Sequence, residues 1–117
     1  MTKLTIYRGD TRTYNLSFTD SNGDAVDITD WIVFFTVKKK SVYVSANNDD
    51  NFIIKKTVSV HTDPTLGKSQ VVVSSIDSNV TPDVYHFDIQ VKDNQDNIYT
   101  FDSGDYVIVA DVTRRTS

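Results

Sequence analysis

Residues 84–92 read Val84-Tyr85-His86-Phe87-Asp88-Ile89-Gln90-Val91-Lys92, and apolar and polar side chains alternate along them. In a β-strand this alternation separates two faces, with Tyr85, Phe87, Ile89 and Val91 on one and His86, Asp88, Gln90 and Lys92 on the other. A helix would scatter both sets around its circumference. Burial of the apolar set contributes roughly 6–12 kcal/mol before entropy, comparable with the net stability of a small domain. We therefore predict a strand that lies centrally in its sheet.

Length and composition set the class of protein. The chain has 117 residues, the usual size of one domain, and we expect a β-sandwich over residues 1–112 with a short tail at 113–117. The absence of cysteine excludes disulfides, thiolate metal sites and a cysteine nucleophile. A net charge of -4 argues against nucleic acid or an anionic membrane as a partner. Without an apolar leader or a membrane-length apolar run, we expect the protein to stay in the cytoplasm until it is assembled or released.

Similar patterns predict further strands along the chain. They cover residues 4–7, 13–19, 31–38, 52–60, 69–74, 98–101 and 105–112. Asn22-Gly23 tolerates the positive φ angles of a tight hairpin, and residues 71–73, all valine, suit a strand buried on both faces. Residues 102–104 are expected to turn the chain between the last two strands. Residues 26–30 fit either a short edge strand or a helical turn, and residues 41–44 fit a strand or a loop.

The number and spacing of these strands indicate the architecture. About seven or eight strands, spaced roughly 8–12 residues apart and joined by turns rich in Asp, Asn and Gly, are typical of an antiparallel sandwich or barrel. We predict an all-β fold, an immunoglobulin-like antiparallel β-sandwich.

One predicted strand is apolar on both faces. In residues 31–38, one face carries Trp31 and Val33 and the other begins with Ile32 and Phe34. This second face is either covered within the domain, which is the commoner outcome, or exposed for a partner. The strand ends in Lys38, Lys39 and Lys40, which would pair with an acidic neighbour or simply form a solvated edge.

Several short motifs could carry chemistry, but each has a simpler structural explanation. Arg8-Gly9-Asp10 spells the integrin-binding tripeptide, yet a turn explains it better. Residues 20–24 resemble a calcium loop only faintly, because no glutamate closes the site. His86 and Asp88 share a strand face without further metal ligands nearby in the sequence. The chain has no phosphate loop, nucleophile elbow or His-rich metal spacing, so we expect no enzyme activity, no cofactor and no metal.

Segments in both halves of the chain carry a family resemblance. They are Ile6-Tyr7-Arg8-Gly9-Asp10-Thr11, Phe18-Thr19-Asp20-Ser21-Asn22-Gly23, Val26-Asp27-Ile28-Thr29-Asp30-Trp31, Phe35-Thr36-Val37-Lys38, His61-Thr62-Asp63-Pro64, Gly67, Val84-Tyr85-His86-Phe87-Asp88-Ile89-Gln90 and Asp111-Val112-Thr113-Arg114. In order and spacing these segments resemble the N-terminal β-sandwich domain of phage upper baseplate proteins and related tailed-phage virion modules. The resemblance implies a sandwich that docks onto the tail or baseplate core, with fibre or receptor-binding modules downstream.

Two functional hypotheses follow from the resemblance and the residues. The first is a structural protein of the virion, docking in the tail, baseplate or fibre-attachment region, with capsid decoration or head completion as the alternative position. Its partners would be other virion proteins or further copies of itself. The candidate interface residues are Ile32, Phe34, Lys38, Lys39, Lys40, Arg114 and Arg115. The second hypothesis is a module that binds a host-surface glycan or protein through Trp31, Tyr43 or Tyr99.

Overall fold

The computed structural model describes residues 2–40 and 52–111, and strands dominate it. They are β1 (Thr2–Tyr7), β2 (Arg12–Ser17), β3 (Ile32–Lys39), β4 (Phe52–Val58), β5 (Lys68–Val73), β6 (Asp83–Lys92) and β7 (Ile98–Val109). A single 3-10 turn at Pro64–Leu66 precedes β5 in the described part of the chain. The predicted all-β class and the number of strands are confirmed.

The strands form two sheets packed as a sandwich. The larger sheet has the order β1-β7-β6-β3-β4, and the smaller one pairs β2 with β5. All pairs are antiparallel except β1 and β7, which run parallel. The strand predicted to be central is β6, in the middle of the five-stranded sheet. It takes this place because its alternating apolar side chains need cover from strands on both sides and from the opposite sheet.

The core lies between the sheets and follows the predicted alternation. Tyr85, Phe87, Ile89 and Val91 of β6 are all buried. The aromatic rings of the core interlock in tilted and edge-to-face contacts, with centroids 6.0 Å apart for Phe35 and Phe87 and 6.3 Å for Phe87 and Tyr106. The predicted inward face of β6 is therefore confirmed.

Three tyrosines make hydrogen bonds that the sequence pattern does not predict. The hydroxyl of Tyr85, at the start of β6, donates a hydrogen bond to the carbonyl of Thr81. A hydroxyl bonded to the backbone just upstream is the tyrosine corner of immunoglobulin-like sandwiches. The hydroxyl of Tyr14 donates to that of Tyr106 at 3.0 Å and so joins the two sheets. Burial raises the pKa of Tyr106 well above its ordinary value.

The predicted turn at residues 102–104 is wrong. β7 runs unbroken from Ile98 to Val109. Its register against β6 shifts where Ile89 pairs with Asp102 and Gln90 with Thr100, which leaves Phe101 as the extra residue of a β-bulge. Gly104 lies within the strand because the backbone of Thr2 passes too close for any side chain. Glycine here marks a close approach of two backbones rather than a turn.

Other local predictions had mixed outcomes. Val71 and Val73 are buried, but Val72 is 43% exposed because β5 has the other sheet on one side only. Residues 26–30 form neither an edge strand nor a helix, and their Ile28 is buried in the core. In the hairpin at Asn22-Gly23, only Gly23 takes a positive φ. Residues 41–44 lie outside the described residues.

An ion pair fastens the loop after β5 to β4. The Asp77 carboxylate lies 2.6 Å from Lys56 Nζ and accepts a hydrogen bond from the Ser74 amide at 2.9 Å. Burial alone would raise the pKa of Asp77, but the bonds from Lys56 and Ser74 outweigh it and lower the pKa. A lowered folded-state pKa means that the carboxylate stabilises the fold above the unfolded pKa of about 4. This stabilisation disappears as the pH falls through the folded-state pKa.

We expect Asp77→Asn to lower the free energy of unfolding by about 1–2 kcal/mol at pH 7, because it removes a charge-assisted hydrogen bond. The difference from the unmodified protein should begin to shrink near pH 4, where the unfolded chain takes up the proton, and should vanish at lower pH, where the native carboxylate is also protonated. Urea unfolding at several pH values would measure this difference in the free energy of unfolding. Asp24→Asn, in an exposed turn, is the control. An effect of equal size at pH 3 and pH 7 would contradict this assignment.

Candidate interaction surface

The outer face of the five-stranded sheet points away from the core and holds Ile32, Phe34 and Lys38 of the predicted interface residues. The strand registers place Ile32 beside Lys92, Phe34 beside Gln90, Thr36 beside Asp88 and Lys38 beside His86. The next strand adds Ile98, Thr100, Ser103 and Asp105, in the same order. We call this surface the outer face. Its apolar side chains lie toward one end, where Lys92 is also present, and Lys38, His86 and Asp105 lie at the other end.

The apolar end centres on Phe34. A shallow groove of about 220 Å³ is lined by Phe34, Thr36, Asp88, Gln90 and Ile98. Ile98 is 61% exposed, while Phe34 and Ile32 are half-buried. Neither Ile32 nor Phe34 belongs to the core or to the partly buried residues packed against it, in the part of the chain that the structure describes. This end of the outer face thus presents apolar side chains that the core does not use.

The other end of the outer face is charged. Lys3, Asp105, His86 and Lys38 lie side by side across β1, β7, β6 and β3. Lys40 Nζ lies 2.9 Å from the Asp105 carboxylate, and this hydrogen bond lowers the pKa of Asp105, with further help from the charges of Lys40, His86 and Lys3. The lysines outnumber the acids in this row, so it presents positive charge on an acidic protein.

The three lysines of the predicted basic run, at positions 38–40, do not form one continuous patch. Lys38 lies on the outer face, whereas Lys39 pairs in register with the buried Tyr85 and is exposed at the strand end. Lys40 is engaged with Asp105. Alternation along β3 therefore sends neighbouring lysines in different directions. Arg114 and Arg115 lie outside the described residues, so their predicted place in the interface remains a prediction.

The Arg8-Gly9-Asp10 motif forms a turn whose groups bond within the domain. Arg8 Nε lies 2.8 Å from the Asp111 carboxylate, and both side chains are largely buried. Gly9 has a positive φ, and the Asp10 carbonyl accepts a hydrogen bond from the buried Ser78 hydroxyl. This geometry supports the structural interpretation of the motif rather than cell adhesion.

The acidic loops have similar structural roles. The Asp20 carboxylate accepts hydrogen bonds from the amides of Asn22 and Asp24, an Asx turn that closes the hairpin. Within residues 2–40 and 52–111, no group of three or more His, Cys, Asp or Glu side chains is arranged to hold a metal ion. His86 and Asp88 lie on the outer face, as alternation predicted.

The aromatic candidates for ligand stacking differ in accessibility. Trp31 is half-buried and packs edge-to-face on Phe18, with ring centroids 6.3 Å apart. Tyr99 is 53% exposed on β7, and Tyr43 lies outside the described residues. Phe101, which the sequence pattern did not indicate, is 42% exposed at the bulge. Its ring packs at a tilt against that of Phe18, with the two ring centroids 4.5 Å apart. Phe101 reaches this position because it is the extra residue of the β-bulge. The sequence pattern did not predict the bulge and therefore did not predict the position of Phe101.

No family model, curated protein or solved structure matches this chain. In the part of the chain that the structure describes, no helix has the length and apolar character needed to cross a membrane. Arguments about function therefore rest on the geometry of the surfaces described above and on the sequence resemblance.

Proposed function

We propose that this chain is a non-enzymatic structural protein of a tailed-phage virion that docks onto its neighbours through the outer face. The observation that carries the docking role is the position of Phe34, a large apolar side chain that is half-buried in an open groove and does not pack on the core. Large apolar side chains clustered on a flat sheet surface are typical of protein interfaces. The phage assignment rests on the sequence resemblance.

The charged end of the outer face complements the apolar end. Its lysine-rich row would meet acidic groups of a neighbouring subunit and fix the orientation of docking, while Ile32, Phe34 and Ile98 would supply the buried centre of the contact. A tail, baseplate or fibre-attachment position is our first choice. Capsid decoration or head completion is the alternative.

Copy number in purified particles tests the virion assignment directly. We expect quantitative mass spectrometry to find the chain in particles of the phage that encodes it, at a ratio to the portal protein that matches a tail or baseplate ring. A ratio near that of the major capsid protein would instead place it on the head. Absence from the particles would refute the virion assignment.

A substitution on the outer face tests the docking surface. We expect Phe34→Asp to abolish self-association or incorporation into particles while the monomer stays folded, because the introduced charge would be desolvated in the interface but solvated in the monomer. Sedimentation velocity over a range of concentrations and a thermal melt would measure the two effects.

Val72→Asp is the matched control, since Val72 is also exposed on a strand but lies on the smaller sheet. Equal loss of assembly in both variants would show a general effect of added charge. Unfolding of the Phe34→Asp monomer would show that Phe34 is needed for the fold and would remove the basis of the proposal.

The second candidate function is recognition of a host-surface glycan. The exposure of Tyr99 favours it, because an accessible aromatic ring can stack on a sugar. A specific and saturable signal on a glycan array, lost in Tyr99→Ala, would support this candidate. Concentration-dependent assembly without any glycan ligand would favour the structural one.

A further inference from the structure

One edge of β2 is unpaired in the described part of the chain. β2 pairs only with β5, and the amide of Phe18, just beyond β2, donates to the Gly67 carbonyl on that side. In a strand, the backbone groups of successive residues point to alternate sides, so those of Thr13, Asn15 and Ser17 point to the opposite edge. The side chains of these three residues are exposed. The edge thus offers a row of backbone donors and acceptors.

A groove runs along this edge between the two sheets. Its volume is about 470 Å³, within the range of about 300–1,000 Å³ that is usual for ligand sites. It is lined by the whole of β2 together with Leu4 of β1, Ile89 of β6, and Phe101 and Asp102 of β7. The apolar part of the groove therefore lies directly beneath the unpaired backbone edge.

The described sheets have four edge strands, β1 and β4 in the larger and β2 and β5 in the smaller, and of these β4 and β2 differ in their protection against pairing. β4, at the edge of the larger sheet, carries Lys55 and Lys56 and a register irregularity against β3. Charged residues and bulges of this kind discourage further strand pairing. By contrast, β2 pairs with β5 without any register shift and contains no proline. Its inward side chains include Tyr14 and Leu16. Its only charged residue is Arg12, at the first position.

We infer that the β2 edge accepts an extended segment of another protein chain as an added strand. Side chains at alternate positions of that segment would enter the groove, as in other cases of strand addition to a sheet edge. Arg12 lies at one end of the groove. Asp102 lies toward the other end, because β2 passes from Tyr14 beside Tyr106 to Phe18 beside Phe101.

These charges define the complementary segment. It has two or three apolar residues at alternate positions, an acidic residue at the Arg12 end and a basic residue at the Asp102 end. Antiparallel pairing, the more stable arrangement, places the basic residue first in the segment. This inference is independent of the proposed function, because the β2 edge and the outer face belong to different sheets.

Amide exchange with a synthetic peptide tests the inference. The probe is acetyl-Lys-Thr-Val-Thr-Ile-Ser-Glu-amide, in which Lys, Val, Ile and Glu share the face that enters the groove, added to the full chain labelled with nitrogen-15. At saturation we expect exchange at the amides of Thr13, Asn15 and Ser17 to slow by at least about tenfold, because each would become hydrogen-bonded. The same peptide methylated at the backbone nitrogens of its two threonines should give no protection, since those nitrogens would face β2.

A proline substitution provides the second readout. We expect Asn15→Pro to weaken peptide binding by at least about tenfold, because it removes an outward amide and adds bulk at the edge, without touching the bonds to β5. Asn15→Thr keeps the amide and should bind within about twofold of the unmodified chain.

Four results would overturn the inference. They are equal binding of the methylated peptide, protection of the β1 amides instead of those of β2, slow exchange of the β2 edge before any peptide is added, and absence of protection at millimolar peptide. Protection that rises with protein concentration alone would show that a second copy occupies the edge, and so would also contradict the occupant inferred here.

Discussion

Gly104→Ala is expected to destabilise the protein by about 3–5 kcal/mol, because the added methyl group collides with the backbone of β1. A Cβ at Gly104 would lie 1.7 Å from the carbonyl oxygen and 2.7 Å from the carbonyl carbon of Thr2. These atoms belong to a strand backbone, so they cannot move aside as a flexible side chain can. Relief of the collision requires β1 to shift away from β7.

The shift would disturb more than one pair of residues. β1 carries Ile6, which is fully buried, and Leu4, which packs against the core. Displacement of β1 would expose part of both side chains as well as break ladder hydrogen bonds to β7. Urea unfolding would measure the loss of stability. Amide exchange should show that β1 opens more readily than β6.

Ser103→Ala is the matched control for Gly104→Ala, since Ser103 is the preceding residue of the same strand and faces outward. We expect it to change stability by less than about 0.5 kcal/mol. If Gly104→Ala were equally mild, β1 would not be docked as the structure has it, and the parallel pairing with β7 would be wrong.

The two faces of β3 can be tested by making the same substitution on each of them. Phe35→Ala changes the inward face, and Phe34→Ala changes the neighbouring residue on the outward face. Phe35 is fully buried, and its ring lies 5.9 Å from that of Tyr14 and 5.8 Å from that of Tyr106. We expect Phe35→Ala to lower the free energy of unfolding by about 3–5 kcal/mol. Phe34→Ala should lower it by less than about 1 kcal/mol, since Phe34 lines an open groove.

Chemical denaturation of both variants under identical conditions would measure the difference. A large loss for Phe34→Ala would mean that the side chain is covered in the folded chain, and the outer face would then lose its candidate apolar centre. A small loss for Phe35→Ala would contradict the assignment of inward and outward faces on β3.

Much of the fold was predictable because strand alternation is a local property. Tyr85, Phe87, Ile89 and Val91 of β6 all point inward, and their regular alternation marked β6 as a central strand before any neighbour was known. The same reasoning separated Phe35 from Phe34 and identified the residues that can form an exposed face. A different local signal, the Asn22-Gly23 pair, predicted the turn at residues 20–24.

The errors arose where one residue type has two structural uses. Gly104 was predicted to lie in a turn, since glycine is common in turns, but its real constraint is the backbone of Thr2, more than 100 positions earlier in the chain. The triple valine at residues 71–73 was predicted to be buried on both faces. Only the position of β5 in a two-stranded sheet shows that Val72 is exposed.

Local sequence patterns predict most of the strand residues and the side of each strand that can be buried, because both depend on neighbours one or two positions apart. The three-dimensional fold was needed to show that Ile98 lies on the same groove as Phe34 and that β1 pairs parallel with β7. It was also needed to show that, within residues 2–40 and 52–111, one edge of β2 is unpaired above a groove. Those features depend on the order of strands in the sheets. Strand order is fixed by packing between residues far apart in the chain, and no local pattern records it.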